Sequence, residues 1–286
     1  MDNQKPIGIF DSGIGGLTVL NELQKILPHE NFIYYADTKH LPYGDKSKEE
    51  IISFSKYIAT YFIENDVKAI VIACGTASAL AFETLKNDYD VPIFNVIDST
   101  VNHLNSNNIG IIATCASISS NVWDNKILEK LPNANITKVA CPKLVPLAES
   151  GLLDVTEAEI ALTEYLKIIK EKNVDTLILG CTHYPLFLPL IKKILNENTN
   201  IINIGTPLAI DFKDYLDSNN LNSTQKEIGK VQYVVSGDEN KFLESKKVFR
   251  ELNRKTFLFL FYKTPCLFCR TTIFWSIINV YFWRRT

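Results

Sequence analysis

Two cysteines stand where strands should end. Cys74 follows the apolar run AIVIA (69–73) in ACGTAS, and Cys181 follows TLILG (176–180) in GCTHYP. In open α/β sheets, ligands gather at the carboxyl ends of the strands. A thiol placed there, just before a helix, also gains from the positive end of the helix dipole, which favours the reactive thiolate. A single cysteine after an apolar strand is as readily a small core residue; two at equivalent places favour function. His183, two residues past Cys181, is a ready proton partner. Asp11 opens the glycine-rich turn DSGIGGLT (11–18), which is not a dinucleotide fingerprint because Thr18 stands where the third glycine belongs. That turn can be a plain helix entry capped by Asp11 or Ser12, or it can hold Asp11 as a carboxylate in a cleft. LPYG (41–44) is ordinarily a turn, and its backbone N–H groups could cradle a carboxylate. Cys115 and Cys141 have no repeat counterpart and read as structural. Ahead of residue 253, no Cys and His pair has zinc-ligand spacing, so no metal is expected.

The elements that must carry these groups are short apolar runs alternating with helix-like stretches. IGIF (7–10), FIYYA (32–36), AIVIA (69–73), IFNVI (93–97), IGIIA (109–113), TLILG (176–180) and IINIG (201–205) read as buried strands. Residues 48–65 and 156–173 carry apolar residues at three- and four-residue spacing, as amphipathic helices do. Alternation of this kind predicts a mainly parallel sheet flanked by helices. The chain also repeats itself. DVKAIVIAC (66–74) lines up with NVDTLILGC (173–181), and IGIFDSG (7–13) with IGIIATC (109–115). Asp11 to Cys74 is 63 residues and Ala113 to Cys181 is 68, so order and spacing both match. The simplest architecture is two similar α/β lobes facing each other, each presenting one strand-end cysteine.

With 286 residues, 46% of them hydrophobic, the chain can form one large α/β unit or two modest domains. A formal net charge of −2 gives no reason to expect nucleic acid or an anionic membrane as partner. MDNQKPIGIF lacks the basic and apolar regions of a secretory signal. Six cysteines without a disulfide rhythm fit reduced thiols and a cytoplasmic location.

FDSGIGGLTVL, LPYGDKS, ACGTASALA, VPLAESG and GCTHYPL, in this order, resemble the glutamate racemases of the cofactor-independent aspartate/glutamate racemase superfamily. The likeness runs from about residue 6 to about 252. It implies two pseudo-symmetric three-layer α/β domains, each with a mainly parallel sheet, and an active site in the cleft between them. The first lobe would comprise residues 1–98 plus about 207–252, and the second residues 99–206. The implied activity is interconversion of L- and D-glutamate without a cofactor, supplying D-glutamate for peptidoglycan, by a homodimer in the cytoplasm. Inverting an α-carbon removes a proton from one face and returns one to the other, so two acid/base groups must flank it. By resemblance, Cys74 and Cys181 are that pair, assisted by Asp11 and His183 respectively. Ser12, Tyr43, Gly44, Gly75, Thr76, Ser117 and Thr182 match substrate contacts, and Glu149 matches a carboxylate near the second cysteine.

Two departures stand out. Gly75 occupies the place of a family Asn whose amide bonds the bound amino acid, which predicts a weakened enzyme. Residues 253–286 are aromatic-rich and unlike the family, with apolar runs too short to span a membrane. They are expected to be foreign to the fold, and the Cys266 and Cys269 pair within them to be chance. The competing readings are a racemase for aspartate or a related acid, and a silent amino-acid-binding protein on the same scaffold.

Overall fold

The computed structural model describes residues 3–195 and 197–250. The atypical tail from residue 253, with Cys266 and Cys269, lies outside the described residues. Among the described residues, nine strands form two sheets: β1 (Ile7–Asp11), β2 (Phe32–Ala36), β3 (Ala69–Ile72), β4 (Ile93–Asn95), β5 (Asn108–Ala113), β6 (Asn135–Ala140), β7 (Thr176–Leu179), β8 (Asn200–Asn203) and β9 (Val231–Val235). The first sheet runs β4-β3-β1-β2-β9 and the second β6-β5-β7-β8. Each of these strand pairs is parallel.

The repeat is visible in both order and register. Read from its far edge, the second sheet is β8-β7-β5-β6, which superposes in order on β4-β3-β1-β2. Phe10 pairs with Ile72 in the first sheet, and Ile112 with Leu179 in the second. Each cysteine then follows two residues past that rung, so Cys74 and Cys181 occupy equivalent places.

Period-two alternation decides which core each strand residue joins. Ile7, Ile9 and Val71 of the first sheet, with Ile109, Ile111 and Ile178 of the second, face one shared central core. The helices Leu17–Ile26, Val96–Asn102 and Gly205–Ser218 contribute to that core. Phe10, Ile70 and Ile72 face outward onto the helix Lys48–Glu64 through Ile51, Ile58 and Phe62. Ile112, Leu177 and Leu179 face the helix Thr156–Glu171 on the other side. Strands buried on both faces read as continuous apolar runs, which is why most were legible in sequence.

Some boundaries differ, with clear causes. The run 93–97 ends its strand at Asn95, whose side-chain oxygen accepts from the N–H groups of Ile97 and Asp98, both at 2.9 Å, and starts a helix. Strand β6, NITKVA, has no apolar run. It is a partly exposed edge strand, so polar Asn135, Thr137 and Lys138 are tolerated and no pattern announces it. Helix Lys48–Glu64 begins at a capping box, with Ser47 Oγ accepting from Glu50 N at 3.2 Å and Glu50 Oε2 from Ser47 N at 2.9 Å. Among the described residues, no helix is long and apolar enough to cross a membrane.

Candidate active site

The carboxyl ends of β1 and β3 meet those of β5 and β7 across a narrow cleft. Cys74 and Cys181 both line it, from opposite sheets. Each is nearly covered, at 5% and 6% exposure. The cleft's free volume is about 30 Å³, room for a water or two.

The two thiols have different surroundings. Cys74 leads directly into the helix Gly75–Leu80. Burial pushes its thiol well up, and the charge of Asp11 pushes the same way, while the N–H groups of Ala77 and Thr76 pull against them. Cys181 enters instead a 3-10 turn, Tyr184–Phe187, with Pro185 in it. Its sulfur lies 3.7 Å from His183 Nδ1. His183 Nε2 lies 2.6 Å from Glu149 Oε1, which also accepts from Ile14 N at 3.0 Å. Burial disfavours charge on this imidazole, but the contacts with Cys181 and Glu149 together hold its pKa well above the usual histidine value. His183 therefore favours its protonated form more than an ordinary histidine does, and it sits beside Cys181.

Asp11 is fully buried, just behind the cleft wall. Its Oδ2 accepts from Gly13 N at 3.2 Å and Gly16 N at 3.1 Å, and its Oδ1 accepts from Thr182 Oγ1 at 3.2 Å. Burial raises its pKa, opposed by the charge on His183 and by those two backbone donors. The DSGIGG turn thus folds around the carboxylate rather than using it as a side-chain cap for the helix Leu17–Ile26, which Gly16 precedes. Asp11 also ties the first sheet to the second through Thr182.

Two glycines permit the close approach of the sheets. A Cβ at Gly15 would lie 2.4 Å from Thr182 Oγ1 and 2.5 Å from His183 Nδ1. A Cβ at Gly75 would lie 2.3 Å from the carbonyl oxygen of Gly180, a backbone atom that cannot swing aside. In this arrangement no side chain fits at position 75 unless the strand ends part.

Comparison with known proteins bears directly on this geometry. A family profile described as Asp/Glu/hydantoin racemase matches residues 16–206. The chain belongs to the Asp/Glu/hydantoin racemase family. It is 44% identical to a glutamate racemase of Thermoanaerobacter sp. (strain X514) over 247 residues, which is 84% of this chain and 91% of that one. Among solved structures, it is similar to the glutamate racemase of Francisella tularensis in complex with D-glutamate. The TM-score there is 0.83 at 35% identity, covering 90% of this chain and 98% of that one. A glutamate racemase isoform from Bacillus anthracis superposes with a TM-score of 0.85 at 29% identity, covering 92% of this chain and 99% of that one.

Within this racemase fold the residues singled out from sequence divide into two groups. Ser12, Tyr43, Gly44, Cys74, Gly75, Thr76, Cys181, Thr182 and His183 line the cleft together. Asp11, Glu149 and Ser117 stand behind it. Ser117 is buried and its Oγ accepts from the indole N–H of Trp123 at 3.2 Å. Thr114 was missed, although the repeat sets it against Ser12. It lines the cleft, and its Oγ1 lies 2.9 Å from Thr76 Oγ1, joining the two sheets. Cys141 lines the cleft and is buried, whereas Cys115 is exposed at its edge.

Proposed function

We propose that the protein interconverts L- and D-glutamate without a cofactor, one of Cys74 and Cys181 taking the α-proton as thiolate from one face while the other gives its own proton as thiol to the opposite face. The observation that carries this reading is the placement of two equivalent strand-end thiols, one per sheet, on one cleft. In this scheme one sulfur begins as thiol and the other as thiolate, and the roles exchange with each turnover. Cys74, buried beside Asp11, favours the thiol form. His183 exchanges a proton with Cys181, and Glu149 keeps the imidazole turned toward it. The hydroxyl of Ser12 and the free proton of the Thr76 and Thr114 pair, with backbone N–H groups at the strand ends, would meet the substrate carboxylate and stabilise charge that develops at the α-carbon.

A cleft with about 30 Å³ free cannot take an amino acid as it stands, so substrate entry requires the strand ends to separate. Residues 1–98 with about 207–252 would move as one lobe, and residues 99–206 as the other. D-glutamate made this way would serve peptidoglycan synthesis in the cytoplasm. A homodimer is the expected assembly, which light scattering would decide.

One experiment tests the reaction and its rivals. The protein is incubated in D2O with L-glutamate or L-aspartate and no added cofactor, and α-deuteration and chirality are followed. Deuterium incorporation with loss of optical purity on glutamate is expected. Faster turnover of aspartate would reassign the substrate, and no exchange with either acid would leave a binding protein.

A further inference from the structure

Asp37 follows β2 at the same carboxyl edge that carries Asp11 and Cys74, and the proposed chemistry does not use it. It is 3% exposed. Its backbone N–H donates to the carbonyl of Asp11 at 2.9 Å, so it is seated directly beside the catalytic edge. Three side chains converge on its carboxylate. Tyr43 Oη donates to Oδ2 at 2.6 Å, Ser236 Oγ donates to Oδ1 at 2.6 Å, and His40 Nδ1 lies 2.9 Å from both oxygens. These come from the LPYG turn, from the residue after β9, and from the approach to the turn. Phe54 backs the group: His40 stacks on it at 3.9 Å, and Tyr43 lies against it at 5.9 Å.

Tyr43 is the member that reaches the cleft, where it packs in the same apolar cluster as Cys74. A phenol has one proton to donate, and here that proton goes to Asp37. Tyr43 therefore offers the cleft its ring and the backbone of Gly44 beside it, rather than its hydroxyl. A buried carboxylate gathering three donors from separate segments is a rigid anchor, because releasing any donor leaves charge unsatisfied.

We propose that Asp37 is a positioning residue for the substrate cleft, clamping Tyr43 and with it the turn 41–45 as the wall beside Cys74. The inference rests on the racemase reading for its substrate. Asp37 acts on binding through Tyr43 and touches no reacting atom.

The test uses Asp37→Asn, Tyr43→Phe, their double variant and Ser236→Ala in the full chain. Two measurements are made: KM and kcat for D-glutamate, and the rate of Cys74 alkylation by iodoacetamide, read by peptide mass spectrometry. Asp37→Asn and Tyr43→Phe should each raise KM about tenfold with kcat reduced less than about threefold. Each should also speed Cys74 alkylation about fivefold or more, and the double variant should be no worse than the more affected single one. Ser236→Ala, which leaves the carboxylate and two donors in place, should shift both in the same direction by less. It keeps the test open if Asp37→Asn does not fold. The proposal is overturned by effects that multiply in the double variant, or by a lower melting temperature and kcat with KM and alkylation unchanged. Should the wild type fail to turn over glutamate, the racemase reading falls, while the alkylation comparison still decides the clamp.

Discussion

His183 joins Cys181 to Glu149: Nδ1 lies 3.7 Å from the sulfur while Nε2 lies 2.6 Å from Oε1. The groups that act on Cys74 are instead Asp11, Cys181 and the N–H groups of Ala77 and Thr76. The two halves of the cleft are thus alike in backbone and unlike in charge, so each thiol should respond differently to its partner's removal.

Replacing either sulfur tests the two-thiol scheme most directly. Cys74→Ala and Cys181→Ala should each abolish racemisation, a loss of at least about 10²–10⁴-fold given the usual contribution of a positioned acid or base. Chiral chromatography of product from each pure enantiomer reads the result. Full activity in either variant would exclude the scheme.

The histidine pair should leave a signature in stability. His183 has a folded pKa raised above its ordinary value of 6.5. A raised group binds its proton more tightly when folded, so its contribution is complete below about pH 6.5 and is lost as pH rises through the raised value. Melting temperature should therefore fall with pH above neutrality more steeply in the wild type than in His183→Gln. Parallel curves would show that the contacts with Cys181 and Glu149 do not hold the proton.

Position 75 separates a missing contact from a steric limit. Gly75→Ala adds only the Cβ that would meet Gly180 O at 2.3 Å, so it should part the strand ends and speed alkylation of both Cys74 and Cys181. Gly75→Asn adds the same Cβ plus an amide able to bond the substrate. Its kcat/KM should exceed that of Gly75→Ala by about 10–100-fold, the effect of one hydrogen bond to a charged ligand at about 1.5–3 kcal/mol. Equal values in the two variants would show that the amide finds no partner.

Among the described residues, both sheets and the lining of the cleft are built from residues before 246. A chain ending at residue 252 should accordingly remain folded and active, as judged by gel filtration and turnover. Loss of soluble protein would show that the last 34 residues, 253–286, belong to the fold.

The sequence by itself determined the scaffold and the two thiols. Strands buried on both faces must be continuous apolar runs, and a duplicated order of such runs places Cys74 and Cys181 at equivalent ends before any contact is known. Two strands escaped: β6, because an edge strand needs no such run, and β9 at the other sheet's edge, whose short run VQYVV is broken by Gln232. What only the tertiary structure decided are contacts between segments far apart in the chain: Ser236 on Asp37, Thr114 on Thr76, and the backbone of Gly180 against Gly75. Local periodicity reports which face of an element is apolar. It carries no information on which polar atom will find its partner across a cleft, because that depends on how the two sheets meet.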